Sequence, residues 1–218
     1  MKPDMIYVYL SRKPYLLDKG FRQIPIWLTV IPNVCAKFVE NTGPYRKLLP
    51  LLKEKWNTDE IIITVDDDTI YAPDLIACMV ESYKSTGGSC ISCRSWFLED
   101  RSKLNMSSYK EAGVNNFHTG KGGVLYTPSM FKKSHDSIRE GIFSDEYLKL
   151  CKTGDDIWFN LWRIYNNVPC VVIKSDSFMI RDCTNNAFAL YKIYNQRDNN
   201  KMYQDTYEHI FGAKAATA

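Results

Sequence analysis

The chain has 218 residues, of which 45% are hydrophobic and 24% are charged, as in ordinary globular proteins. This composition excludes disordered, collagen-like and coiled-coil classes, and the length suits one domain with a substantial core. The formal net charge of +3 is too small, and the Lys and Arg residues are too scattered, to indicate a nucleic-acid surface.

The first half of the chain alternates between strand and helix patterns. MIYVYL at residues 5–10 predicts a first strand, and IPIWLTVI at residues 24–31 predicts a second strand that carries edge prolines. Apolar residues at helical spacing within residues 48–56 lead into IIITV at residues 61–65, which predicts a buried strand. A helix is predicted from Pro73 onward, because proline is tolerated in a first helical turn.

The second half continues the same alternation. SCISCRSWFLE at residues 89–99 predicts a strand, and a Gly-rich loop within residues 118–131 runs into another. Residues 143–167 predict one or two helices, and VPCVVIK at residues 168–174 predicts the last strand. The β, α, β order predicts one α/β domain over residues 1–212, with a Rossmann-like, mostly parallel central sheet flanked by helices.

Cysteine usage and the two ends of the chain bear on its cellular setting. Seven cysteines without a signal-peptide pattern predict reduced thiols and a cytoplasmic location. Cys90 and Cys93 form a single C-x-x-C in a strand-like stretch, so we expect buried thiols rather than a zinc site. No apolar stretch is long enough to predict a membrane span. Residues 213–218 are expected to be a frayed tail or the start of a linker to a further domain.

Three consecutive aspartates, Asp66, Asp67 and Asp68, follow the predicted strand at residues 61–65. Side chains alternate in an extended backbone, so Asp66 and Asp68 can point the same way. Like charges at the end of a buried strand cost stability unless a cation offsets them. Two carboxylates make a hard oxygen site suited to Mn²⁺ or Mg²⁺. The alternative is a solvated turn, since the helix near Pro73 starts too late for the triplet to cap it.

A metal held by few carboxylates keeps positions open for phosphate oxygens, which suggests a nucleoside diphosphate ligand. At this point a resemblance becomes specific. VDDDTIY resembles the D-x-D signature of A-type (GT-A fold) glycosyltransferases, which use nucleotide sugars and have a Rossmann-like domain. GPYRKLLPLL, GKGGVLYTP and LCKTGDDIWFN are similar to the G-P-x-x-K-L, G-G-V-L-Y-P and C-P-T-A-D-D-I-W segments of one subgroup, in the same order.

The resemblance covers roughly residues 40–165, and the whole chain is similar to a virally encoded glycosyltransferase domain at the N-terminus of a longer protein. It implies Asp66, Asp68 and His209 as metal ligands, the histidine from a C-terminal H-x-x-G-x-x-K segment whose spacing to Lys214 is one residue short. It implies donor contacts from Ser11, Arg12, Lys47, Asp66, Asp67, Gly122 and Gly123, with Asp67 pairing with a cation such as Lys47. It implies a host-cytoplasmic location.

GDDIWFN poses a second carboxylate question. Asp155 and Asp156 either cap a helix and lie near its positive end, or one of them faces a cleft. In the cleft it would act as a general base or stabilise an oxocarbenium-like centre. The resemblance favours this pair as catalytic without distinguishing its members. His118 has a claim on the acceptor side, whereas Trp158 and Trp162 are predicted to be core residues.

The sequence therefore predicts a metal-dependent glycosyltransferase that moves a hexose or deoxyhexose from a UDP-sugar donor to a carbohydrate acceptor. Two alternatives remain open at this point. A nucleotidyltransferase also uses strand-end aspartates and a metal, but it releases pyrophosphate. A carbohydrate-binding module could keep the fold without turnover.

Overall fold

The computed structural model describes residues 1–135, 141–173, 179–183 and 190–212. The predicted tail at residues 213–218, with Lys214, lies outside them. The described helices are α1 (Ile26–Thr29), α2 (Leu49–Glu54), α3 (Leu75–Ser85), α4 (Tyr147–Leu150), α5 (Asp155–Tyr165) and α6 (Gln196–Phe211). None of these helices is long and apolar enough to cross a bilayer.

The described strands form four sheets. Two sheets are pairs, namely β1 (Ile6–Leu10) parallel to β2 (Val34–Phe38), and β4 (Thr69–Tyr71) antiparallel to β12 (Met179–Asp182). Another sheet has the order β7 (Met106–Ser107), β6 (Ser95–Leu98), β9 (Asn116–His118). The largest sheet has the order β3 (Ile62–Thr64), β10 (Val124–Tyr126), β5 (Cys90–Ser92), β11 (Cys170–Val172), β8 (Ala112–Gly113).

A mixed α/β fold is confirmed, but a single, mostly parallel central sheet is not. In the five-stranded sheet only β5 and β11 run parallel, and the other three pairings are antiparallel. The difference arises at β10, which lies between β3 and β5 and runs opposite to both. Strand β10 directly follows the glycine-rich loop, so this reversal places that loop beside the end of β3.

The second strand was predicted at the wrong place. Residues 24–31 contain the short helix α1 instead, and the strand that pairs with β1 is β2. Pro25 stands directly before α1, with φ −55°. Proline has no N–H to donate to a neighbouring strand, which disfavours a paired strand at this position. Residues 34–38, VCAKF, contain no proline and pair in register with Ile6–Leu10.

The core forms around α5, whose residues 157–164 are all buried. Trp158 and Trp162 are fully buried and stack edge to face with ring centroids 5.7 Å apart, so the prediction that they belong to the core is confirmed. Cys90 and Cys93 are also fully buried, with free thiols, as predicted. Helix α6, which the sequence did not predict, packs against α5.

Candidate active site

Lys47 connects two acidic segments that are far apart in the sequence. Its Nζ lies 3.1 Å from Asp66 Oδ1 and 3.2 Å from Asp155 Oδ2. Asp156, next to Asp155, accepts a hydrogen bond on Oδ1 from the Gly120 N–H at 2.9 Å. We call Lys47, Asp66, Asp155 and Asp156 the Lys47 cluster. It brings together three of the four segments that resemble glycosyltransferase motifs, and Gly120 adds the fourth.

The turn that carries Lys47, Gly43–Lys47, is held in place by Tyr45. The Tyr45 side chain is fully buried, and its hydroxyl donates a 2.5 Å hydrogen bond to the Cys151 carbonyl. Its ring stacks on Tyr147 with centroids 4.2 Å apart. These contacts fix the turn against the segment that precedes α5, so that Lys47 reaches the start of that helix.

Asp155 and Asp156 occupy the first turn of α5, after an N-cap at Gly154 that makes no side-chain capping bond. The alternative in which Asp155 caps the helix is therefore not what the structure shows. Both carboxylates lie in the first helical turn, near the positive end of the helix dipole. Asp155 Oδ2 pairs with Lys47 by distance but has no hydrogen-bond donor among the described residues. It is a buried oxygen held by charge alone.

The charges of the cluster shift the pKa values of two members. Burial by itself lowers the pKa of Lys47, but Asp155, Asp66 and Asp156 outweigh it and hold the pKa well above its usual value. Burial, followed by repulsion from Asp155, raises the pKa of Asp156 to about 7, against the opposing effects of Lys47 and the Gly120 N–H. Asp156 is thus poised to exchange a proton near neutral pH.

The aspartate triplet lies in the turn between β3 and β4, as predicted for the end of a buried strand. Asp66 and Asp68 are partly buried, whereas Asp67 is exposed. Lys47 pairs with Asp66 and Asp155, so the expected pair between Asp67 and Lys47 is replaced by a pair with Asp66. Asp67 and Asp68 form the turn itself, and Asp67 is exposed there, whereas Asp66 lies between the end of β3 and the turn.

The three expected metal ligands are not brought together. In the part of the chain that the structure describes, no three His, Cys, Asp or Glu side chains form a group able to hold a metal ion. His209 instead lies on α6, where its ring stacks on Trp158 with centroids 6.2 Å apart. Asp66 and Asp68 remain as adjacent hard oxygen donors on one turn.

The glycines of the loop before β10 are required by the protein itself. A Cβ on Gly120 would lie 2.8 Å from Lys47 Nζ and 3.2 Å from Asp156 Oδ1. A Cβ on Gly122 would lie 2.9 Å from Arg94 Cβ and 3.0 Å from the Arg94 backbone nitrogen. Gly123 has φ +88°, a conformation that favours glycine. The packing and conformation of the loop therefore explain Gly122 and Gly123. Their expected contacts with the donor stay a prediction.

Ser11 and Arg12, expected at the donor nucleoside, follow β1 but contact other groups. Ser11 is fully buried, and its Oγ accepts a 2.8 Å hydrogen bond from Arg46, which also pairs with Asp18 at 2.6 Å. The Arg12 guanidinium lies 3.9 Å above the Phe38 ring centroid. The turn Gly43–Lys47 thus sends Arg46 toward the end of β1 and Lys47 toward the aspartates.

Tyr71 and Asn160 end the segments VDDDTIY and LCKTGDDIWFN, but the sequence assigned neither a role. The Tyr71 hydroxyl accepts a 3.0 Å hydrogen bond from the Asp66 N–H and donates one of 2.9 Å to the Lys121 carbonyl, which ties the aspartate turn to the glycine loop. Asn160, one helical turn after Asp156, donates to the Asp156 and His118 carbonyls. His118 is fully buried, and burial holds its pKa well below the usual value, so it does not face an acceptor.

Comparisons of the chain with protein-family models, curated proteins and solved structures find no match.

Proposed function

We propose that the chain is a metal-dependent glycosyltransferase that moves a hexose or deoxyhexose from a nucleoside diphosphate, with UDP as the first candidate, to a sugar hydroxyl. The observation that carries this proposal is the Lys47 cluster. Asp66 and Asp155 are 89 positions apart in the numbering, yet the same ammonium group contacts both. The segments that resemble donor-binding and catalytic motifs converge there.

The aspartate turn suits the diphosphate end of such a donor. Carboxylates of Asp66 and Asp68 fit a hard divalent ion such as Mn²⁺ or Mg²⁺. The described residues supply too few ligands to hold that ion by themselves, so donor phosphate oxygens and water would complete its shell. When bound, the ion stabilises negative charge on the departing diphosphate. Lys47 supports the same charge, since its pKa stays well above neutrality.

Of the two carboxylates at the start of α5, Asp156 is the better candidate for proton transfer. Asp155 is engaged by Lys47, and only 10% of its side chain is exposed. Asp156 has a pKa raised to about 7, chiefly by burial, so that near neutral pH it can accept a proton and release it again. In this proposal Asp156 removes the acceptor hydroxyl proton, while Asp155 and the Gly120 N–H hold the surrounding geometry.

The parallel pairs β1–β2 and β5–β11 support the finer proposal that the sheets form a GT-A-type, nucleotide-binding arrangement. A nucleotidyltransferase is the second candidate, because it would use the same aspartate turn. That reaction gives no role to the carboxylate pair at the start of α5. Product analysis separates the two reactions, since glycosyl transfer releases a nucleoside diphosphate and nucleotidyl transfer releases pyrophosphate.

The test is calorimetric titration of UDP into the protein with Mn²⁺ and again with a chelator. We expect binding only with the metal, and we expect Asp68→Ala to weaken it at least tenfold, about 1.4 kcal/mol. Asp59→Ala, at an exposed aspartate before β3, is the matched control and should leave binding unchanged. Unchanged UDP affinity in Asp68→Ala would exclude Asp68 as a metal ligand.

A further inference from the structure

A second surface of the molecule is exposed and apolar. On α1 and the two residues after it, the exposed fractions are 79% for Ile26, 61% for Trp27 and 73% for Val30. Phe21 and Ile31 flank them and are also exposed. We call these five residues the α1 surface. Apolar side chains of this size that cluster on a surface mark an interaction site more often than scattered ones do.

The geometry of α1 explains why these side chains point outward together. Residues 26 and 30 are four apart, and Val30, the C-cap, keeps helical backbone angles, so these two side chains lie on one side of the turn. Leu28 projects to the opposite side and is buried. One leucine therefore anchors the turn, and the remaining apolar side chains stay outside. If α1 served mainly to fill the core, most of its apolar side chains would be buried rather than exposed.

The net positive charge of the chain comes from the same N-terminal segment that carries this surface. Residues 1–31 contain five Lys and Arg but only two Asp and Glu. Their net charge of +3 equals that of the whole chain, so the remaining residues carry equal numbers of both signs. All five cations are exposed, and Lys13, Lys19 and Arg22 are the three nearest to α1 in the sequence. An exposed apolar turn and the entire excess of positive charge thus occupy one segment.

We propose that the α1 surface docks the protein on an anionic lipid surface as a peripheral contact. Trp and aliphatic side chains bordered by Lys and Arg suit the interfacial zone of a bilayer, where the apolar part enters the headgroup region and the cations bind anionic lipids. Lysine is depleted in protein–protein interfaces, which disfavours a protein partner. The occupant is therefore a lipid surface.

The α1 surface is attached to the end of β1. The Phe21 N–H donates a 2.8 Å hydrogen bond to the Ser11 carbonyl, and the Ser11 side chain binds Arg46, the neighbour of Lys47. Lipid docking would thus hold the Gly43–Lys47 turn in a defined position relative to the membrane. The proposal concerns binding alone and does not depend on the proposed transfer reaction.

Flotation with phosphatidylcholine vesicles, with and without phosphatidylserine, tests this proposal. We expect the protein to float only with phosphatidylserine, and added salt to release it. The triple variant Lys13→Gln, Lys19→Gln, Arg22→Gln should reduce partitioning roughly a hundredfold, from about fivefold for each cation. Equal partitioning into both kinds of vesicle, or none into either, would overturn the proposal.

The apolar half is tested with the double variant Ile26→Ser, Val30→Ser, both at exposed positions whose replacement leaves the core intact. Ile180→Ser, at an isoleucine with 62% exposure elsewhere, is the matched control. We expect only the double variant to lose vesicle binding. Vesicles should also shift the tryptophan fluorescence of the native chain to the blue, and Trp27→Phe should remove this shift. A native dimer that the double variant converts to monomers, without vesicle binding, would assign the surface to a second copy of the chain and overturn the lipid proposal.

Discussion

The two acidic pairs of this molecule share one lysine but occupy different environments. Asp66 and Asp68 stand on the turn after β3, and 28% of the Asp66 side chain is exposed. Asp155 and Asp156 begin the buried helix α5, and Asp155 is only 10% exposed. The first pair can receive an ion or ligand from solvent with little rearrangement. The second pair is held by the core, and burial raises the pKa of its member Asp156 to about 7.

This difference separates two tasks that the same residue type can perform. A carboxylate on an open turn loses little solvation and is available as a hard ligand. A carboxylate against a core pays a desolvation cost that raises its pKa toward neutrality. Lys47 offsets the charge of both pairs. Because the pairs differ in exposure to solvent, removal of Lys47 should affect them unequally.

Lys47→Met should give the largest loss of stability, because it removes the charge partner of both acidic pairs. Loss of the ammonium leaves Asp155 buried without a charge partner, since its Oδ2 has no hydrogen-bond donor among the described residues. We expect the free energy of unfolding to fall by about 3 kcal/mol, the lower end for buried pairs because a quarter of the Lys47 side chain is exposed. Urea denaturation measures it. Lys149→Met, which removes an exposed pair with Glu146, is the control and should change stability by less than about 1 kcal/mol. Equal losses would contradict the role of Lys47.

Substitutions at two glycines of the loop before β10 should also differ in their effect on stability. In Gly122→Ala the new methyl meets the Arg94 backbone, which cannot move aside cheaply. We expect a loss of about 2 kcal/mol in unfolding free energy, within the range for overpacking. In Gly120→Ala the methyl meets the flexible end of Lys47, so the loss should be smaller. Thermal denaturation of both variants tests the order. A larger loss for Gly120→Ala would mean that the Lys47 side chain is rigidly held.

The pH dependence of stability distinguishes the buried pair from the open one. Because Asp156 has a pKa near 7 in the folded chain and about 3.8 as the reference value, the folded state holds more protons between these two pH values. Stability therefore falls as pH rises through this window, and the effect is complete above pH 7. Asp156→Asn should remove at least about 1.4 kcal/mol of that decline, the equivalent of one pKa unit. Denaturation at a series of pH values measures it, and identical slopes in both proteins would contradict the shift.

The sequence predicted local elements well and long-range contacts poorly. The strand before Asp66 and the helix that holds Trp158 were recognised because apolar spacing is a local property. The helix α1 was mistaken for a strand, since a short apolar run that contains proline fits both patterns. Which strands run parallel is decided by pairing across the chain, as β10 shows.

For the candidate site, the acidic segments were found and their connections were not. Asp66, Asp155 and Lys47 were singled out separately, yet the pairing of Lys47 with Asp66 and Asp155, rather than with Asp67, follows only from the fold. His209 was placed with the metal ligands by a short C-terminal pattern, whereas α6 holds it against Trp158. Spacing along the chain cannot predict such stacking, because it depends on how two helices pack.

Tyr71 provides the last and smallest test, because it joins the open pair to the loop that serves the buried one. Its hydroxyl accepts a hydrogen bond from the Asp66 N–H and donates one to the Lys121 carbonyl, 50 positions from Tyr71 in the sequence. Tyr71→Phe removes both bonds and should cost about 1 kcal/mol in unfolding free energy, since solvent reaches part of the site. Tyr109→Phe, at an exposed tyrosine, should cost less than about 0.5 kcal/mol. If the aspartate turn is positioned through Tyr71, the same variant should also weaken metal-dependent UDP binding. Unchanged UDP binding with reduced stability would mean that Tyr71 supports the fold and that the open pair is positioned by Lys47 alone.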